Sequence, residues 1–176
     1  MKGIIFTEFI EMCEKSHGMV FTNELIIESN LESKGAYTSV GTYDHREIFQ
    51  LVRNLSKKTN FSEAELFNHF AKYFFQSALN EHSDLIGNVD DPFDLLEIVD
   101  SHIHKEVLKL YPDAQLPKFN CHRTDNKLEM IYISPRKMSD FAQGLIEATL
   151  EHFETDFNLS INTSENGDTI FTIIKT

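Results

Sequence analysis

Two hydrophobic rhythms run along this chain, one after the other. Through the first half, apolar positions recur every three or four residues. Ile5, Phe9 and Met12 share a helical face before Gly18, and Asp44 with Glu47 reads as a capping pair for the helix HREIFQLVRNLSKK. Ser62 and Glu65 make a capping-box pattern ahead of LFNHFAKYFFQSALNEH, and Asp91-Pro92 supplies an N-cap and first-turn proline for FDLLEIVDSHIHKEVLKLY. After Pro112 the rhythm changes to alternation. KFNCHRTDNKLEMIYIS predicts two strands around an Asp-Asn turn, SPRKMSDFAQGLIEATLEHF a helix, and FNLSINTSENGDTIFTIIKT a strand pair around Asn166-Gly167. The expected architecture is α+β, a helical N-terminal part packed on a C-terminal part with antiparallel strands and helices. No repeat or linker divides it, so residues 1–176 are expected to form one domain.

Composition narrows what such a domain does. The 176 residues are 41% hydrophobic, enough for a sizeable core, and no apolar run approaches the roughly 18 residues of a membrane span. Acidic residues interrupt the apolar positions of MKGIIFTEFIEMCEK, unlike a secretory signal, which leads to a cytoplasmic expectation. A net charge of −12 disfavours nucleic acid and anionic membranes and suits basic protein surfaces. Cys13 and Cys121 lie far apart without a CxxC pair, so neither a disulfide framework nor a thiolate metal site is expected. No GxSxG, HExxH or cysteine–histidine signature is present, which argues against a hydrolase and for a protein with no catalytic residues.

Two stretches carry chemistry. In SHIHKEVLKLYP, a helical wheel with Leu96 at the origin gathers Val99, Ile103, Val107 and Leu110 within about 60° of it. Asp100, His104, Leu108 and Tyr111 extend that sector, whereas His102 falls among Lys105, Glu106 and Lys109. His104 therefore faces inward and His102 faces water. An inward histidine is most often just a hydrogen-bonded core residue. In YISPR, Tyr132, Ser134 and Arg136 follow the strand period of two, so two hydroxyls and a guanidinium are expected on one face at a strand end. Ser134-Pro135 also reads as a helix N-cap with proline behind it, and a cation in that first turn opposes the helix dipole unless an anion sits there. The strand end looks like a carboxylate or phosphate socket.

Together these features resemble one family. The opening MKGIIF, FAKYFF at 70–75, His104 ahead of Tyr111-Pro112, LPKF around Pro117 and above all YISPR are similar to the H-NOX (heme nitric oxide/oxygen binding) domains, the fold also found as the sensor part of soluble guanylate cyclases. The resemblance implies heme b held between the two parts, with His104 as proximal iron ligand and Tyr132, Ser134 and Arg136 on the propionates. It implies that Ile5 and Pro117 bend the porphyrin, and that Phe9, Phe74, Phe141 and Leu145 line the distal or heme pocket. The other histidines show no metal-type pairing. His69, on the helix of the distal wall, is the one left open.

The resemblance also bears on the gas. Family members that hold oxygen stably place a tyrosine where this chain has Phe141, and polar partners where it has Phe9 and Phe74. An apolar pocket denies dioxygen a hydrogen bond but not nitric oxide or carbon monoxide, so nitric oxide is the expected signal. By resemblance, nitric oxide weakens or breaks the iron–His104 bond, frees that helix, relaxes the heme against Ile5 and Pro117, and shifts the N-terminal part. The chain has no room for an output domain, so the expected partner is a separate histidine kinase, diguanylate cyclase or phosphodiesterase. The rival readings are an oxygen-binding or redox heme sensor and a heme-free interaction module.

Overall fold

The computed structural model describes residues 1–81 and 89–176. Among the described residues, four helices build the N-terminal part: α1 (Gly3–His17), α2 (Met19–Glu28), α3 (Arg46–Lys58) and α4 (Glu63–Glu81). The break between α1 and α2 falls at Gly18, whose φ of 84° is left-handed and open to glycine at little cost. The helix after it, rich in apolar residues all round, has no clear periodicity and is not foreseen from the sequence. The predicted capping box starts α4: Ser62 N donates to Glu65 Oε2 at 2.8 Å and Glu65 N to Ser62 Oγ at 3.2 Å. The predicted Asp44/Glu47 pair does not form as a box. Asp44 Oδ1 accepts from Arg46 N at 2.9 Å, but the Glu47 carboxylate turns inward to Ser33 N at 2.9 Å and Tyr37 Oη at 2.5 Å. Those donors, with the Ser33 hydroxyl, hold its pKa below the usual range against the opposing effect of burial.

The C-terminal part carries α5 (Pro92–Glu97), a π-helical turn (Val99–Ile103), α6 (His104–Leu110), β1 (Lys118–Arg123), β2 (Lys127–Ile133), α7 (Ser139–His152), β3 (Phe157–Thr163) and β4 (Thr169–Lys175). The four strands form one antiparallel sheet in the order β1-β2-β4-β3. Both predicted strand pairs are present, and Gly167 takes its positive φ in the second turn. Asp91 caps α5 as expected, accepting from Phe93 N at 2.7 Å. Arg123 from β1 pairs with Asp94 and, at 3.0 Å, with Glu97, while Lys175 from β4 pairs with Asp91 and lies 4.2 Å over the Phe93 ring. These contacts pin α5 to the sheet.

Two predictions for this part are corrected. The helix expected from Ser134 begins only at Ser139. Lys137 takes a φ of 51°, and Lys137 N bonds back to Ser134 O at 3.4 Å, so 134–137 is a turn and Ser134 does not cap a helix. The long helix expected through 93–111 is broken. His102 N and Ile103 N both donate to Ile98 O, at 2.8 and 3.2 Å, and the second of these is a π-type bond. One residue is thereby absorbed, which sets the following helix back by about 100°. His104 moves from the edge of the inward sector to its middle, and Leu110, predicted inward, is 58% exposed. Leu108 is also open to solvent.

Two hydrophobic cores result. One gathers Phe6, Phe9, Leu51, Leu55, Phe67 and Phe70, with Ile5, Phe74 and Phe141 against it. The other gathers Phe93, Leu128, Met130, Tyr132, Phe171 and Ile173 under α7. Helix α7 serves both, sending Phe141 to the first and Ala142, Ile146 and Leu150 to the second. It lies so close to α4 that a Cβ on Gly144 would stand 2.6 Å from Ala71 Cβ and 2.7 Å from Asn68 O. Gly144→Ala is therefore expected to destabilise the fold by about 1–3 kcal/mol, despite alanine's better helix propensity, because α4 and α7 must part. Thermal unfolding checks it; a variant as stable as the parent would show that the contact yields freely.

Candidate heme site

His104 opens α6, directly after the π turn, and its side chain is 17% exposed. Burial lowers its pKa below the ordinary histidine value, against the opposing pull of Asp100. The neutral ring is the form with a lone pair for a metal. Its Nδ1 lies 2.7 Å from Asp100 Oδ1. Asp100 Oδ2 accepts from Phe119 N at 2.8 Å, which fixes the carboxylate to β1, while Oδ1 is buried without an aligned hydrogen bond. A carboxylate beside Nδ1 favours the tautomer with its proton there and leaves Nε2 as the ligating nitrogen. A small turn of the ring would give Oδ1 the donor it lacks. Asp100 was the residue without an assigned role in the sequence; its legible signal is a carboxylate on the apolar face four positions before the histidine. His102 is exposed, as predicted.

The socket residues are brought to one end of β2 but not onto one face. Tyr132 is buried, and its Oη accepts from Met138 N at 3.2 Å. Ser134 lies beyond the strand, where its Oγ accepts from Arg136 N at 3.3 Å. Each hydroxyl thus accepts from a backbone amide and keeps its own proton to donate. The Arg136 guanidinium donates to the Gln115 carbonyl oxygen, and to Gln115 Oε1 at 3.2 Å. It lines an open cleft together with Tyr43, His45, Arg46 and Gln115. Two hydroxyl donors and a cation are a donor set suited to carboxylates.

The remaining candidates divide between the two cores. Phe9 meets Phe70 edge-on at 5.2 Å between ring centroids, Phe70 meets Phe141 at 5.1 Å, and Phe74 meets Phe141 at 5.9 Å. Ile5 packs on the same cluster. His104 instead belongs with the sheet, its ring 6.2 Å from Phe119, which lies 5.4 Å from Tyr132. Pro117 and Leu145 are half-buried. His69 is exposed and stacks edge-on against Phe61 at 5.1 Å, so it does not reach a pocket. Burial pushes the Cys13 thiol up to about 12 and the Cys121 thiol to about 11, so neither offers a thiolate. Among the described residues, no group of three or more His, Cys, Asp or Glu side chains could hold a metal ion. His82 lies outside them. A neutral imidazole on one core, aromatic rings on the other, and hydroxyl and guanidinium donors for carboxylates at the edge fit a heme.

The Haem-NO-binding family matches residues 2–161. The chain belongs to this family, the H-NOX domains. H-NOX proteins are heme-binding gas-sensor domains, and the family's fold is the one seen here. The ferrous unliganded H-NOX protein from K. algicida is 41% identical, covering 100% of this chain and 97% of that one with a TM-score of 0.92. The H-NOX protein from S. oneidensis in the Fe(II)NO state is 27% identical over 100% and 99% of the two chains, with a TM-score of 0.91. The IWP-051-bound H-NOX from Shewanella woodyi in the Fe(II)CO state is 40% identical over 100% and 95%, with a TM-score of 0.84. None of the curated proteins matches. No helix among the described residues of this H-NOX domain is long and apolar enough to cross a membrane.

Proposed function

We propose that this H-NOX domain is a nitric oxide sensor built on heme b. Bound ferrous heme supplies the position at which a gas is taken up. His104 Nε2 would hold the iron, with the ring oriented through Nδ1 by Asp100. Tyr132 and Ser134 would donate their free hydroxyl protons to the propionates, and Arg136 would add its charge. Ile5 and Pro117 would press on the bound porphyrin, and Phe9, Phe74, Phe141 and Leu145 would line its pocket. Related H-NOX structures with nitric oxide and with carbon monoxide support both as ligands. If nitric oxide binding loosened the hold on His104, α6 would be the segment free to move, because α5 is pinned to the sheet. A gas shifts a conformation only by its differential affinity for the two states, and release of His104 would supply that difference. The response passes to a separate cytoplasmic partner, a histidine kinase, diguanylate cyclase or phosphodiesterase; the acidic chain suits a basic docking surface.

The apolar cluster of Phe9, Phe70, Phe74 and Phe141 carries the choice of gas. These rings have no proton to donate to the partly anionic bound dioxygen. The ferrous protein is therefore expected to bind nitric oxide and carbon monoxide and to form no lasting oxygen complex. Absorption spectra recorded on mixing the ferrous form with air decide it, and a stable oxygen complex would overturn the assignment. In Phe141→Tyr, a phenol reaching the gas contributes on the order of 1 kcal/mol, which slows oxygen release several-fold.

A further inference from the structure

The helix segment that carries His104 is tied to the rest of the molecule at two ends by different chemistry. At its start, α5 is pinned to the sheet by Arg123 and Lys175. At its end, the chain leaves α6 through Tyr111-Pro112 and reaches Asp113. Among the described residues, every hydrogen bond between residues 98–117 and residues 1–81 is made by the Asp113 side chain. Its Oδ1 accepts from Lys2 Nζ at 3.0 Å, and its Oδ2 from Thr42 Oγ1 at 2.8 Å.

Lys2 is not an ordinary surface cation. Its side chain is 11% exposed, and its ammonium also donates to Val40 O at 2.6 Å and Thr42 Oγ1 at 2.9 Å and lies 5.7 Å from the Tyr111 ring. The backbone holds it there. Lys2 bridges to Thr42, Tyr43 N donates to Met1 O at 2.9 Å, and Gly3 N donates to Gly41 O at 2.8 Å. An isolated surface ion pair contributes little because two long side chains must be immobilised to make it. Here the lysine is already immobilised by hydrogen bonds to Val40 and Thr42 of the N-terminal part, so a displacement of Asp113 meets a fixed partner. The pair lowers the Asp113 pKa, first through the Lys2 hydrogen bond and next through Thr42.

We propose that the Lys2–Asp113–Thr42 node is a latch through which movement of the His104 segment is passed to residues 38–43 and α1 of the N-terminal part. This regulation rests on the heme and nitric oxide reading above. The latch needs no change in either core. It converts a shift at the end of α6 into tension on a hydrogen-bonded hairpin-like pairing that leads directly into α1, the helix of Ile5 and Phe9.

Backbone hydrogen exchange on the heme-loaded ferrous protein, with and without nitric oxide, tests the latch. In the parent, nitric oxide is expected to change exchange both in α6 and at 38–43. In Asp113→Asn and in Lys2→Met the α6 response should persist and the 38–43 response fall at least severalfold, while Lys2→Arg retains it. The Soret shift on nitric oxide binding should be the same in all four proteins. A 38–43 response that survives undiminished in both uncoupling variants would overturn the latch while leaving the sensor standing. A parent that takes up no heme, or whose Soret band ignores nitric oxide, would overturn the sensor and the latch with it.

Discussion

His104→Ala is expected to abolish the proximal bond, so that the ferrous absorption spectrum loses its five-coordinate histidine form, while His102→Ala leaves the spectrum unchanged. The expectation follows from position. His104 is buried beside Asp100 and His102 is exposed, although the two stand two residues apart. Free imidazole added to His104→Ala should restore the spectrum in part, because the space left is one side chain large and is bounded by Asp100 and Phe119. His104→Ala also removes the imidazole Nδ1 that lies 2.7 Å from the buried Asp100 Oδ1, a contact whose loss costs on the order of 1 kcal/mol. The heme-free variant should therefore be measurably less stable as well. An unaltered His104→Ala spectrum would remove this residue from the site.

Gly3→Ala carries the largest expected loss of stability. A Cβ at Gly3 would lie 1.8 Å from Thr38 O and 2.9 Å from Thr38 C. Both are backbone atoms, so no rotamer change makes room. The segment 38–43 must back away, and with it go the Gly3–Gly41 and Ile4–Ser39 hydrogen bonds and the placement of Lys2. Overpacking of this kind costs about 3 kcal/mol or more, which in a chain of this size lowers Tm by roughly 6–12 °C. Thermal unfolding of the heme-free protein measures it without reference to the cofactor. A loss under about 1 kcal/mol would mean that the 38–43 segment is held far less firmly than its hydrogen bonds indicate.

Much of this arrangement is legible in the chain, and the exceptions share a physical cause. The capping box at Ser62, the Asp91-Pro92 start and the Asn166-Gly167 turn are local signals, complete within a few residues, and they form as read. Glu47 fails as a cap because its best partners, Ser33 and Tyr37, are remote in the pattern though close in space. The Ser134-Pro135 start fails because Lys137 turns left-handed before the helix begins. The wheel picks the more buried of the two histidines, but from the wrong geometry. It assumes an unbroken α-helix, and the π turn that centres His104 also carries Leu110 into solvent. The socket residues are recognisable as a motif, whereas the amide bonds that leave the Tyr132 and Ser134 protons free come from the turn after β2.

The π turn also sets the size of the movement available to α6. With α5 fastened to the sheet, the segment cannot slide as a rod. The backbone between Ile98 and His104 already holds both kinds of bond on one carbonyl, to the fifth residue back from Ile103 N and to the fourth from His102 N. A change from the first to the second is a discrete click rather than a continuous slide, with a natural unit of one residue: about 1.5 Å along the axis and about 100° around it. Were the turn to close to regular α-helical bonding, a histidine mounted at that junction would be carried by that one-residue step.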